Sequence, residues 1–405
     1  MRRRLLAILV LFVLLATGVI RAGCVSPLAD RLLNPIHNPA GPQANAEAKA
    51  LHQTLPVVDL HADPLLWPRN LVERHDVGAV DIPRLLEGHV ALQVMGVPTR
   101  IPFTLNMTLN PDVGNLAALL SFGNGWPSDT WTSPRARALH SARVLREASL
   151  NSRGKMVLVT NRAELDAALA RTAAGEPLVA TLLAMEGAYP LEGNVRNLLD
   201  LYAAGFRMLG VSHFVDGDVA GSAHGWSKHG LTDFGRDVVR RCEQMGMTLD
   251  LAHASPETVD GILDLATRPV VVSHTGVEGT CPGPRNLSDE RLVRIGKNGG
   301  VVGIGLFAGA TCGDDVAAAV AAMEHVMKVA GPTHVALGSD FDGAVGTPID
   351  AAGWVEVTHL LLQHGHTPQV IAGIMGGNAL RVLRDNLRGP EAGDPQTTPP
   401  PPKAP

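Results

Sequence analysis

Aromatic residues are scarce in this chain, only 4% of 405 residues, so recognition built mainly on ring stacking is disfavoured. Beyond Arg2-Arg3-Arg4 there is no basic stretch either. Lys and Arg number 34 against 39 Asp and Glu, a formal charge of -5, and they are scattered rather than gathered into the stripe that a phosphate backbone requires. No nucleic-acid partner is expected. Apolar runs long enough to cross a bilayer, about 20 residues, are also missing. The nearest is Leu5 to Ile20, preceded by the three arginines and closed by Arg21. Its flanking arginines can snorkel to the interfaces, so the run reads as an export signal of one of three kinds. It is an uncleaved inner-membrane anchor, a signal cleaved near Ala16-Thr17-Gly18 to release a secreted protein, or a lipoprotein signal ending at Cys24. All three put the remaining chain in the periplasm or another extracytoplasmic space.

No internal repeat or linker divides the rest. The sequence predicts an N-terminal membrane or signal segment at 1–24, a tether at 25–51, one domain at 52–388 and a disordered Pro-rich tail at 389–405. With 45% hydrophobic residues the domain has ample material for a core.

Eight β-like runs stand out: Pro56 to His61, Val90 to Val97, Leu178 to Glu186, Phe206 to His213, Met247 to His253, Pro269 to His274, Gly300 to Leu306 and His334 to Asp340. Their continuous Val, Ile and Leu content is what strands buried on both faces show. Helical patterns fill the gaps, several opening on Ser, Thr or Asp at the cap position, as in Ser255-Pro256-Glu257. Strand followed by helix, eight times, predicts an α/β fold, the (β/α)8 TIM barrel. The stretch from Pro98 to about Gly175 breaks the rhythm and is read as two or three helices packed over the barrel.

Active sites in this fold gather where the strands end at their C-terminal side. The groups standing there are His61 and Asp63, Glu186, His213, His253, His274, and Asp340 with Asp342. In His61-Ala62-Asp63 the strand period of two puts both side chains on one face. Imidazole and carboxylate together suit zinc or a neighbouring divalent ion, and a glutamate can bridge two of them. Taken singly, each residue has a plainer explanation. A lone histidine at a strand end is more often a hydrogen-bonded core residue, and Glu186 could pair with an arginine. Taken together, five or more such groups converging on one barrel mouth would each cost several kcal/mol if buried without a partner, which favours a binuclear metal site. The remaining histidines, His52, His224 and His229 among them, lie in helical or loop contexts and are read mostly as surface groups.

These residues sit inside longer blocks: Met185-Glu186-Gly187, Lys228 through Val239, Leu249 through Ser255, Pro284-Arg285-Asn286, Gly338 through Gly343, and Gly376-Gly377-Asn378. In that order, from about Val57 to Leu383, the chain resembles the membrane (renal) dipeptidase family and its bacterial members. The resemblance implies a zinc-dependent dipeptidase with two Zn2+ ions that acidify a shared water. By resemblance His61 and Asp63 hold one ion, His253 and His274 the other, and Glu186 bridges them. His213 then faces the substrate carbonyl, Arg285 holds the substrate carboxylate, and Asp340 is the acid/base. Substrates would be dipeptides, with acceptance of a C-terminal D-residue and a homodimer both left open. One departure is visible: where mammalian members carry an aromatic hydroxyl after the seventh strand, this chain reads Phe307.

Of the four cysteines, Cys281 and Cys312 follow adjacent strands and are candidates for a disulfide in an oxidising compartment, while Cys242 is expected to be a buried hydrophobe. Two other functions remain. A two-metal barrel hydrolase of amidohydrolase type would carry a His-x-His pair on the first strand rather than His61-x-Asp63. A non-catalytic binding protein of the same fold would be expected to have lost a ligand or Asp340.

Overall fold

Nine parallel strands organise the computed structural model, which describes residues 25–37 and 43–389. They are β1 (Val57–Ala62), β2 (Val90–Pro98), β3 (Met156–Leu158), β4 (Val179–Glu186), β5 (Phe206–Gly210), β6 (Thr248–Asp250), β7 (Val271–Thr275), β8 (Val301–Ile304) and β9 (Val335–Leu337). Eight of them close a barrel, because β2 pairs with β1 on one side and with β4 on the other. Going round the ring the order is β1, β2, β4, β5, β6, β7, β8, β9. β2 therefore stands diametrically opposite β7. Every strand residue of β1, β2 and β4 is buried, as strands covered on both faces require.

The predicted α/β TIM barrel is what forms. The helices begin where the caps indicated: the side chains of Asp81, Thr232, Ser255 and Asp315 accept hydrogen bonds from the backbone N–H three residues on. The stretch after β2 holds three helices, Leu116–Gly123, Pro134–Asn151 and Arg162–Ala173, and also β3. That ninth strand lies outside the ring, pairing only with Val179 to Thr181 at the start of β4.

Two expectations are corrected. Several strands stop short of the predicted runs: β5 ends at Gly210, β6 at Asp250 and β9 at Leu337. His213, His253 and Asp340 thus lie beyond the last ladder residue. His253 (φ 63°) and Asp340 (φ 62°) take up left-handed backbone there, and pairing with β1 resumes at Phe341, which bridges to Ala62. The second correction concerns 25–51, read as a tether. Val25–Leu33 is a helix, Ile36 bridges to Thr347, and Ala46–His52 is another helix whose Ala48 packs on Val355. The predicted segment 1–24 and nearly all of the tail lie outside the described residues. Among the described residues no helix is long and apolar enough to cross a membrane.

Candidate metal centre

β1 delivers His61, and Asp63 follows it at once, held by its N–H to the Phe341 carbonyl (2.8 Å). β4 delivers Glu186 as its last residue and β7 delivers His274. The two loop-borne groups, His253 and Asp340, close in from β6 and β9. All of these side chains are buried. Glu186 Oε1 is the hub, 3.5 Å from His61 Nε2, 3.1 Å from His253 Nε2, 3.5 Å from His274 Nε2 and 3.4 Å from His213 Nε2. His61 Nε2 also lies 3.4 Å from Asp63 Oδ1 and 3.9 Å from Asp340 Oδ1. β2, the one strand near the first ligands without a polar group at its end, contributes space instead. A Cβ on Gly96 would sit 2.2 Å from Asp63 Oδ1 and 2.7 Å from the His61 ring.

The hydrogen-bond network behind the histidines fixes which nitrogen faces the cluster. His224 Nδ1 lies 2.7 Å from the Met107 carbonyl, which can only accept, so Nδ1 carries the proton and Nε2 is an acceptor. His253 Nδ1, 3.1 Å from that Nε2, must then donate, leaving the Nε2 lone pair of His253 turned inward. Ser273 repeats the logic for His274. Its hydroxyl donates to Asp250 Oδ2 (2.6 Å), so it accepts from His274 Nδ1 (2.9 Å) and the Nε2 lone pair again points inward. His253 Nε2 and His274 Nε2 are 2.9 Å apart. Two lone pairs at that distance repel unless a cation lies between or beside them.

Other atoms make the same demand. His61 Nδ1 and Nε2, Asp63 Oδ1 and Glu186 Oε2 are buried and have no hydrogen-bond partner among the described residues. Each such group costs about 1–3 kcal/mol when left unsatisfied. The triads His61–Glu186–His274, Glu186–His213–His253 and His61–Asp63–Asp340 each bring one ligand atom per residue within 4.8 Å of the others. Glu186 is shared by the first two. The donor set, neutral imidazole with carboxylate oxygen, therefore fits divalent ions bridged by Glu186.

The electrostatics point the same way. Burial, reinforced by the Asp63 carboxylate, pushes Glu186 well above the ordinary carboxylate range. Burial likewise raises Asp340, opposed by His61 and assisted by Asp63, to about 7. Burial would lower His61, but the Asp63 and Glu186 carboxylates outweigh it and raise this group to about 10. Burial and the Arg285 charge hold His253 well down, and burial with the His61 charge does so for His274. Such opposed shifts packed together mark a site whose charge balance awaits cations.

Above the cluster lie His213 and Arg285. His213 presents Nε2 to Glu186 while Nδ1 approaches the Arg100 carbonyl at 3.3 Å, and burial lowers its pKa to about 3. Arg285 is buried with Nη2 on the His274 carbonyl (2.5 Å) and with Nε lacking a hydrogen-bond partner. It forms no salt bridge among the described residues, and burial lowers it to about 10. A buried guanidinium with an unpaired Nε and no salt bridge is a receptor for a planar anion.

The loop carrying Arg285 is tied down. Cys281 and Cys312 are bonded, Cα atoms 5.3 Å apart, joining the loops after β7 and β8. Cys242 is free and buried, as expected. With 31 residues separating the partners, Cys281→Ser should lower stability by about 3–4 kcal/mol on loop-entropy grounds. Denaturant titration of oxidised and variant protein measures it, and equal midpoints would exclude the effect.

Not every strand-end group joins the cluster. Asp342 turns away, accepting from the Ala79 and Val80 N–H groups and pairing with Arg69. Gln93 binds Asp59 inside the barrel. His52 and His224, read as surface groups, are buried, and His224 lies directly behind His253. No periodicity could have revealed it, because its partners Met107 and His253 are distant in sequence.

Residues 45–390 match the family model for membrane dipeptidase, peptidase family M19. An uncharacterized dipeptidase of Schizosaccharomyces pombe is 30% identical over 51% of this chain and 53% of its own length. A dipeptidase of Aspergillus oryzae is 33% identical over 51% of each chain. The matched part thus spans about half the length of these curated relatives. A metallo peptidase from Rhodobacter sphaeroides, solved with a phosphinate mimic of the dipeptide L-Ala-D-Ala, superimposes with TM-score 0.66 at 23% identity, covering 82% of this chain and 99% of that one. That likeness concerns the fold.

Proposed function

The chain belongs to the membrane dipeptidase family, peptidase family M19, and on that premise we propose that it hydrolyses the peptide bond of dipeptides with two zinc ions. The observation that carries the reading is the convergence of four imidazoles on one buried carboxylate, Glu186, with two inward lone pairs 2.9 Å apart. His61 and Asp63 would hold one ion and His253 and His274 the other, with Glu186 shared between them. When bound, the ions would supply an acidified water and a counter-charge for the developing oxyanion.

The protein's own groups do the rest. Arg285, with its unused Nε, takes the C-terminal carboxylate through paired charge-assisted hydrogen bonds, which selects free dipeptides over longer chains. His213, its Nε2 3.4 Å from Glu186 Oε1, faces the substrate carbonyl from beside the bridging carboxylate. Asp340, its Oδ1 3.9 Å from His61 Nε2 at the edge of the cluster, takes the proton of the nucleophile and passes it to the leaving amine. The mimic bound to the Rhodobacter neighbour ends in a D-residue, which supports acceptance of C-terminal D-residues here. A panel of free L,L- and L,D-dipeptides, their amides and tripeptides, offered to zinc-loaded protein, tests the reading. Cleavage of the free dipeptides alone is expected, and equal cleavage of the amides would favour an amidohydrolase acting on neutral substrates.

His224 acts through His253. His224→Ala should weaken binding of one ion about 10- to 100-fold and spare the other, the usual cost of losing a hydrogen bond behind a metal ligand. Competition with a chromophoric chelator reads this directly. His224→Gln, which keeps an acceptor for His253 Nδ1–H, should recover most of the loss, and two unchanged affinities in the alanine variant would refute the role.

Export of the protein, with residues 1–24 serving as membrane anchor or cleaved signal, belongs to the same proposal. The Cys281–Cys312 bond supports it, because such bonds persist in oxidising compartments.

A further inference from the structure

The helix Val25–Leu33 precedes the stretch matched by the family model, yet it is fastened to the loop that carries Asp340. Asp30, its carboxylate 2% exposed, pairs with Arg69 Nε at 2.8 Å, and Arg69 Nη2 pairs with Asp342 at 2.7 Å. Asn34 Oδ1 accepts from the Ala344 N–H (2.9 Å), and His37 N–H binds the Thr347 carbonyl (2.8 Å). Buried ion pairs of this kind lock geometry, since breaking one strands a charge.

The helix ends at the rim of the cavity that opens above the cluster. One wall of that cavity is Leu33, Leu66, Trp67, Ile101, Leu105 and Leu120. Trp67 donates its Nε1–H to the Asp342 carbonyl (2.6 Å), so its polar atom is used and its ring faces are apolar. The charged and titratable groups lining the cavity, Asp63, Glu186, His213, His253, Arg285 and Asp340, all belong to the cluster or stand beside it.

Placement decides which part of a substrate meets this wall. Arg285 follows β7, whereas Leu66 and Trp67 follow β1 and the segment from Ile101 to Leu120 follows β2. β2 is opposite β7 in the ring. A dipeptide whose carboxylate lies on Arg285 and whose carbonyl lies over Glu186 sends its N-terminal residue toward the apolar wall. We propose that the helix Val25–Leu33 is part of the substrate site, and that the site prefers dipeptides with a bulky apolar N-terminal side chain. This rests on the dipeptidase reading and extends it to the substrate class. Burial of each methylene is worth roughly fourfold, whereas a charged side chain would lose its water without gaining a partner.

The test uses the full zinc-loaded chain with leucyl-alanine, glycyl-alanine, aspartyl-alanine and alanyl-leucine. Leucyl-alanine should exceed glycyl-alanine and aspartyl-alanine in kcat/KM by about tenfold or more, with alanyl-leucine gaining less. Leu33 is 43% exposed, so substitutions there should be tolerated, and metal content reports whether the site is intact. Leu33→Trp should fill the cavity and cut leucyl-alanine selectivity about tenfold, and Leu33→Ser should cut it by a few fold, both with two ions retained. Equal rates for leucyl- and glycyl-alanine in the wild type overturn the apolar preference. Unchanged selectivity in both variants removes the helix from the site. Failure to cleave any of the four dipeptides overturns the dipeptidase reading itself.

Discussion

Glu186→Ala protein should bind neither ion with the wild-type affinity and should lose dipeptide hydrolysis by at least about three orders of magnitude. Its carboxylate is the hub of the cluster, with one oxygen within 3.5 Å of four imidazole nitrogens and the other, Oε2, buried without a hydrogen-bond partner among the described residues. Removing it leaves two half-sites of two ligands each, too few for a tetrahedral shell. It also removes the negative charge that lets two dications lie side by side. Metal analysis after dialysis against metal-free buffer checks the first expectation and a stopped assay the second. Retention of two full equivalents would refute the bridging role whatever happened to the rate.

Arg285→Ala should raise KM for free dipeptides by about two orders of magnitude while both ions stay bound. Two charge-assisted hydrogen bonds made only with the substrate are lost, at about 1.5–3 kcal/mol each. Arg285→Lys should recover only part, since an ammonium cannot reproduce the planar fork. Amidating the substrate should cripple the wild type and barely affect the alanine variant. Steady-state kinetics on the four combinations resolves the coupling, and additive losses would place the carboxylate elsewhere.

The barrel was legible because parallel strands covered on both faces appear as bare apolar runs, and Pro56 to His61 or Leu178 to Glu186 allow few other readings. The cluster was legible because a barrel sends groups at successive strand ends to one mouth. What escaped did so for identifiable reasons. β3 has three residues, too short for any periodicity, and joins the sheet through β4 alone. The helix Val25–Leu33 inverts the usual pattern. It buries Asp30 and leaves Leu28 and Leu32 exposed, so no apolar period marks its inner face. The predicted runs ended at His213, His253 and Asp340, whereas β5, β6 and β9 stop earlier; His253 and Asp340 take left-handed backbone, which apolar patterning does not register. His224 became recognisable only once Met107 and His253 were placed on either side of its ring.

The most direct test of the whole account is the rate of leucyl-alanine hydrolysis as zinc is returned, in measured equivalents, to protein stripped by a chelator. The account predicts negligible hydrolysis by the stripped chain and a rise that saturates near two equivalents per chain, as a cluster sharing Glu186 between two ions requires. Full activity in the stripped protein, or saturation at a single equivalent, would contradict it.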